Sequence, residues 1–409
     1  MQQRTYLAIS VGIVLRVLVG LVILGGVGQV DDGPSFARQA AEIVDGTIGS
    51  FYFPPGTALS AVPFMTMFGP TEVAYHIVGT LTSIAVLLST VWLAVTLTGW
   101  GRVTLITAWI AALYPHTILA STQLSSHMLA AALVTSAAAL ALRCATTWSW
   151  SRWLGVCLLV SAAILTRPAT ALIILVLLAA AIVLVRRRTL VLSTVAGAGA
   201  MLVLVLVLGV CAYPVMRQNA LHGQGWTLST NNEWNLFLGN TPYTPDYKTG
   251  HFGQRDFSQL DSATRAYLDR FLPHESPYDA TLAERQAMRA AALDYMRTHP
   301  LRTVYRASNR LRGYWGMDYT MARMLQNTFG LSNTAFAPLL LLEGGVYCLV
   351  LLLALSAPFL VRQPLGSGQI FLLGLIVAGM APYLVAFSLA KYHMAAVPIV
   401  MIAGAVAIN

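Results

Sequence analysis

Charge is what this sequence has least of. Asp, Glu, Lys and Arg supply only 10% of its 409 residues, against roughly 25% in soluble globular domains. With 57% hydrophobic residues and a mean hydropathy of +0.67, that scarcity excludes a soluble enzyme and reads as a polytopic membrane protein. Cysteine is scarce too. The four present, Cys144, Cys157, Cys211 and Cys348, all lie in or beside apolar runs and none in the long polar segment. A disulfide framework and a thiolate metal site are therefore not expected. Histidine shows no HxxxH or HxH spacing, so His116, His127, His222 and His251 give no support for a divalent metal; such a metal stays an unsupported possibility, and the sequence marks no cofactor with certainty. The two halves share no internal symmetry, which weakens an inverted-repeat transporter. Acidic residues are outnumbered, for a formal net charge of +9. The basic residues are scattered over short loops and one large loop, which suits a positive-inside bias and anionic lipid better than nucleic acid.

What is abundant is long apolar runs. About ten transmembrane helices are expected, the first over Tyr6–Val30, kept as a span rather than a cleaved leader. Arg16 lies within it and should face the bundle interior. Further spans are expected near Tyr75–Leu97, Val103–Ala120, His127–Leu142, Trp153–Leu165, Ala169–Val185 and Leu190–Tyr213. Residues 1–213 thus form the first seven spans, 214–333 a large polar loop, and 334–409 three closing spans near Ala335–Val361, Ile370–Leu389 and Met394–Ile408. Arg4, Arg102, Arg143, Arg152, the cluster Arg186, Arg187 and Arg188, and Arg362 share one side under this count. That side is cytoplasmic by the positive-inside rule, with the N-terminus there. Asp31, Asp32, Arg167, the large loop and Lys391 share the other face. In the loop, Thr281–Trp315 reads as helical with a break at His299-Pro300. Its arginines at 285, 289, 297, 302, 306, 310 and 312 suit amphipathic helices lying on a membrane surface.

The stretch from Asp31 to Gly56 carries the densest signal. Two adjacent carboxylates follow the first span directly. Ser35–Gly46 reads as a short helix with Pro34 fixing its entry and Gly46 ending it, and Pro54-Pro55-Gly56 then turns the chain back toward the bilayer. The result is a re-entrant first outer loop, 31–56, ahead of a short ledge helix over Gly56–Phe68.

Several of these stretches together resemble the GT-C fold glycosyltransferases that use polyprenyl-phosphate sugars, in particular the protein-mannosyltransferase and aminoarabinose-transferase (ArnT-like) superfamily. Asp32, Phe36, Ala40, Gly46 and Phe53-Pro54-Pro55-Gly56 are similar to its first-loop pattern. Tyr114-Pro115-His116 through Ser126, Leu165-Thr166-Arg167-Pro168, Ser229 to Asn240 and Lys391-Tyr392-His393 with Pro398 resemble four later motifs, in order. Lys391 stands where the family has an arginine, His127 where it often has an acid, and Asn232-Glu233 where it has a glycine pair.

The resemblance implies a GT-C type bundle, a polyprenyl-phosphate sugar donor, and a lipid, glycan or protein acceptor on the extracytoplasmic face of a cell membrane, the bacterial inner membrane. An Asp base fits such chemistry, because a carboxylate can deprotonate an attacking hydroxyl or amine held in line. The family spacing falls on Asp32, with Asp31 beside it, and either can be the base. Cations would meet the leaving phosphate: Lys391, Arg167 and an arginine such as Arg310, with the Tyr392 hydroxyl. Tyr52, His116, His127, Asn231, Asn235, Asn240 and Glu343 are the further residues expected at the substrate, although Glu343 also reads as the partner of an interior arginine. Two other classes stay open on sequence alone: a polysaccharide polymerase or O-antigen ligase-like enzyme, and a lipid or sugar transporter.

Overall fold

The computed structural model describes residues 1–177, 179, 190–247, 259–272, 276–360 and 366–409, with the side chains of 190–196 left aside. Arg186, Arg187, Arg188, Arg362, His251 and the second half of the span expected over Ala169–Val185 lie outside them. Among the described residues every regular element is helical.

The first helix, α1 (Gln2–Val17), runs on through a π turn at Leu18–Ile23 as one 22-residue span. A short helix α2 (Gly33–Val44) follows, with Pro34 in its first turn and Gly46 beyond its end at φ +68°. Its buried face, Phe36, Ala37 and Ala40, packs on α3 (Gly56–Phe68) and on Tyr75 and Val78 of the next span, α4 (Glu72–Thr98). The chain then crosses in two pieces, α5 (Arg102–Leu113) and α6 (Pro115–Leu119), bent by 49°. After them come α7 (Ser126–Thr146), α8 (Trp150–Thr166) and α9 (Pro168–Leu177).

The long helix α10 (Leu190–Leu221) continues through Pro214, so it extends past the end expected at Tyr213 and shortens the polar loop. The chain closes with α16 (Asn333–Leu340) and α17 (Val346–Leu360), joined by a π turn at Leu341–Gly345, then α18 (Ser367–Val385) and α19 (Val397–Ile408). Among the described residues, six helices are long and apolar enough to cross a membrane, or seven when α5 and α6 count as one bent span. Ten is therefore not reached among the described residues. α8, with 17 residues, and α19, with 12, are apolar but short. Leu88, Val205, Val210, Leu352 and Phe359 are exposed on the spans, as lipid-facing side chains should be.

The break between α5 and α6 explains the buried arginine. Pro115 has no N–H to give the carbonyl of Ala111, and the extended backbone at Tyr114 keeps the Ala112 carbonyl out of the helical ladder. In an apolar bundle such carbonyls need donors from elsewhere. Arg16, fully buried, supplies them: it donates to Ala111 O (2.8 Å), Ala112 O (3.1 Å), Gly12 O (2.9 Å), Thr117 Oγ1 (2.8 Å) and Ser83 Oγ (2.9 Å). One side chain thus ties α1 to α4 and to both halves of the bent span.

The polar loop has a core of its own. α11 (Asn232–Gly239), α12 (Ser262–Asp269), α13 (Leu282–Thr298) and α14 (Pro300–Tyr314) supply or flank Trp234, Phe237, Leu268, Leu272, Ala280 and Met288, all buried together. The α13–α14 arginines divide: Arg289, Arg297, Arg302 and Arg312 are exposed, as a surface face requires, and the other three are not. Arg285, Arg306 and Arg310 are buried. Arg285 pairs with Glu233 at 3.0 Å, and Arg302 and Arg306 both reach Asp246, at 3.1 and 3.0 Å. Spacings of four residues put Arg302, Arg306 and Arg310 on one helical face; Arg306 and Arg310 turn inward onto loop carbonyls, and exposed Arg302 joins Arg306 on the Asp246 carboxylate.

Replacing Arg16 by methionine leaves two or more buried carbonyls without donors while keeping the stem's bulk. The expected cost is about 2–5 kcal/mol, read as a fall in thermal midpoint of the purified protein in detergent. An unchanged midpoint would contradict the role given to Arg16.

Candidate functional site

Asp31 is the only non-glycine among the described residues with positive φ, at 58°. Asp tolerates this left-handed region better than most residues. The turn it makes presents Asp31 and Asp32 to a single cation. Lys391 lies in the 3-10 turn Ala390–Ala395 between α18 and α19. Its ammonium donates to Asp31 Oδ2 and, at 3.1 Å, to Asp32 Oδ2. Burial alone would lower the Lys391 ammonium, but Asp32 and Asp31 outweigh it and hold it above its ordinary value. Burial raises the Asp31 carboxyl, Lys391 pulls it back, and the like charges of Asp32 and Asp318 push it up, for a net rise. Its side chain is 40% exposed, because it stands on the wall of an open cavity with protein mass on most sides.

That cavity has a volume of about 1350 Å³. Arg167 reaches it from the turn after α8. Pro168 forces extended backbone on Arg167 (φ −150°, ψ 104°), while Thr166 remains the last helical residue. The guanidinium donates to Tyr383 Oη (2.9 Å) and Ser126 Oγ (2.8 Å), touches His127 Nε2 at 3.3 Å, and lies 4.9 Å over the Tyr392 ring. Gly56 makes the turn reachable: a Cβ there would stand 2.7 Å from the Thr166 nitrogen. The ledge therefore packs directly on the backbone that aims Arg167.

The stretch Ser229 to Asn240 is held over the same cavity from two ends. At one, Thr230 N donates to Phe51 O (3.0 Å) and Phe51 N to Asn219 Oδ1 (2.6 Å), which joins the stretch to the first outer loop. At the other, Gly239 lies so close to the Ala386 carbonyl that a Cβ would overlap it, and Asn240 Nδ2 donates to Val385 O at 2.8 Å. Arg310 completes this clasp by donating to Leu384 O and Val385 O (both 2.8 Å) and to Gly239 O.

The residues expected at the site thus divide. Asp31, Asp32, Lys391, Arg167, Tyr392, Tyr52, Asn231 and Asn235 all line the one cavity. His127 stands just behind it, its ring 5.2 Å from that of Tyr392. Arg310 and Asn240 do not line it. Both bond backbone carbonyls instead, where a phosphate contact was expected of Arg310 and a substrate contact of Asn240. His116 and Glu343 are buried away from the cavity and bonded to each other at 2.6 Å. Glu343 therefore has a histidine partner where an interior arginine was expected, because Arg16 is committed to the broken span.

No family model and no curated protein matches the chain. Among solved structures it is similar to ArnT from Cupriavidus metallidurans in the apo state, at 16% identity and a TM-score of 0.43, over 95% of this chain and 76% of that one. The same protein bound to undecaprenyl phosphate gives 15%, 0.41, 94% and 76%. At such identities and scores the chemistry of this chain rests on its own residues.

Tyr383 and Tyr278 line the cavity without having been singled out by sequence, beside Ser126, which the sequence marked only as the end of a motif. Tyr383 stacks on Tyr392 at 4.5 Å and accepts from Arg167; Tyr278 lies 4.2 Å from Tyr52. Only a tyrosine inside an otherwise apolar run, after Pro382, marked the first of them. Asp31, Asp32 and His127 have ligand atoms within 4.8 Å of one another and so form a possible cation cluster. Lys391 already supplies the positive charge there, and an added cation would have to displace it.

Arg310 gives a test of the clasp that needs no substrate. Lysine lacks the planar fork, so Arg310→Lys should lower stability by about 1–3 kcal/mol. Denaturation in detergent measures it, and wild-type stability would refute the clasp.

Proposed function

We propose that the chain is an integral membrane glycosyltransferase that moves a sugar from a polyprenyl-phosphate donor to an acceptor on the extracytoplasmic face. One observation carries the reading: Lys391 bridges two carboxylates on the wall of a wide cavity that Arg167 also enters. The cavity exceeds an ordinary ligand pocket of about 300–1,000 Å³, room enough for a donor headgroup and an acceptor together. Tyr52 and Tyr278 offer ring faces for a sugar.

The charges suggest how the parts work in turn. Without donor, Lys391 is paired with Asp31 and Asp32. A donor phosphate brings its own negative charge and competes for Lys391 and Arg167, which loosens the lysine's hold on the carboxylates. One carboxylate then takes the proton of the acceptor hydroxyl or amine as the acceptor atom bonds to the anomeric carbon. The bond from that carbon to the phosphate oxygen breaks, and polyprenyl phosphate leaves against Lys391 and Arg167. The family spacing favours Asp32 as the base, with the raised Asp31 beside it as the other candidate.

Replacing the true base by asparagine should lower kcat by about 10²–10⁴-fold and leave the protein folded. Full turnover in both Asp32→Asn and Asp31→Asn would end the proposal. A carboxylate base works only when deprotonated, so kcat/KM should fall as pH drops through its pKa. For Asp31, raised as it is, that acid limb lies above the ordinary carboxylate range. Lys391→Ala should lose kcat/KM for the lipid donor by about 10²–10³-fold, while Lys391→Arg retains part of it. Wild-type kinetics of Lys391→Ala at all donor concentrations would reduce the lysine to a structural tie.

A further inference from the structure

Behind the cavity lies a second cluster that the proposed reaction does not use. His116 belongs to α6, just past the break in the bent span. Asp318 lies two residues ahead of α15 (Thr320–Phe329), and Glu343 sits in the π turn between α16 and α17. All three are buried, at 6%, 5% and 1% exposure, and their ligand atoms lie within 4.8 Å of one another.

Most of their polar capacity is spoken for. Glu343 accepts from the N–H groups of Met321 (3.3 Å) and Ala322 (2.6 Å), and His116 Nδ1 stands 2.6 Å from its Oε1. Asp318 Oδ1 accepts from Thr320 N (3.0 Å) and Thr320 Oγ1 (2.6 Å). Asp318 Oδ2 has no hydrogen-bond partner among the described residues. It points toward the cluster, 3.8 Å from His116 Nδ1.

The charges do not balance either. No lysine or arginine among the described residues pairs with Asp318 or Glu343; their only cationic partner is His116. Two carboxylates and a protonated imidazole leave one buried negative charge. The N-terminus of α15 offsets about half a charge. A divalent cation with a neutral imidazole brings the cluster to zero.

We propose that His116, Asp318 and Glu343 bind a divalent transition metal, zinc fitting their donors best. One imidazole nitrogen and two carboxylate oxygens form a donor set that zinc accepts, with a fourth position left for water. Ligand bonds of about 2.0–2.2 Å in a tetrahedron set neighbouring donors about 3.3 Å apart. The metal thus replaces the proton between His116 and Glu343, separates that pair by several tenths of an ångström, and draws in Asp318 Oδ2. Gly344 lets the Met317 side chain lie against the π turn, since a Cβ there would stand 2.3 Å from the Met317 sulfur. The segment carrying Asp318 is thereby held against Glu343. A bound metal would lock the bent span, the head of α15 and the α16–α17 span together, directly behind Tyr319 on the cavity wall. None of the three ligands lines that cavity, so the site stands apart from the proposed transfer reaction.

Elemental analysis of the full-length protein in detergent tests this. About one zinc per chain is expected. Chelation should remove it with a fall in thermal midpoint, and added zinc chloride should restore both. Asp318→Asn, which keeps the Oδ1 acceptor, and Glu343→Gln should each cut bound zinc at least tenfold. Asp31→Asn, in the other cluster, should leave it in place. Less than a tenth of a metal ion per wild-type chain, with no midpoint shift from zinc or manganese chloride after chelation, overturns the proposal. So does full zinc in Asp318→Asn, or loss of zinc in Asp31→Asn alone. If neither ligand variant folds, the wild-type stoichiometry and midpoint shift decide.

Discussion

The contact on which the candidate site depends is the bridge from Lys391 to Asp31 and Asp32, joining positions 360 and 359 residues apart. Each group needs the others. An ammonium turned inward without a counter-charge is costly, and two adjacent carboxylates repel without a cation. Satisfying all three brings the turn after α1 against the turn before α19. The ledge helix α3 then meets the turn that carries Arg167, through the close approach at Gly56. Charge pairing at one point thereby gathers the first outer loop, the α8–α9 turn and the last hairpin around a single cavity.

Arginine serves a different purpose elsewhere in the fold. Arg16, Arg306 and Arg310 donate mainly to backbone carbonyls, of the bent span, of the loop around Thr241, and of the end of α18. A guanidinium carries five donors in a fixed fork, so it can satisfy several misaligned carbonyls that no helix ladder reaches. The basic character of the polar loop is therefore partly internal scaffolding. Its aromatic core around Trp234 and Phe237 and the clasp at Gly239 keep Asn231 and Asn235 over the cavity.

Much of this was legible in the residues. Apolar runs marked most spans to within a few residues, Pro300 marked a break, and Arg16 could only face inward, but the break at Pro115 lies inside a span that read as continuous over Val103–Ala120. The convergence of Asp31, Asp32, Arg167 and Lys391 followed from counting spans. What stayed hidden were partnerships across long separations. Glu343 was visible as an intramembrane acid, but nothing local tied it to His116, 227 residues away. Arg310 read as a cation beside other cations, because sequence periodicity does not reveal which carbonyls a helix face will meet. Pro214 looked like an end, yet α10 runs through it, since neighbouring groups can satisfy the carbonyl that a proline frees.

The central claim is that the cavity transfers a sugar from a lipid monophosphate. Its most direct test is to give the purified protein, reconstituted in vesicles with acceptor-containing membrane extract, a donor with label in both sugar and lipid phosphate. The account predicts that sugar label moves to an acceptor while polyprenyl monophosphate appears in equal amount. Labelled donor that crosses the bilayer intact, or turnover only when the monophosphate is replaced by a pyrophosphate, would contradict it.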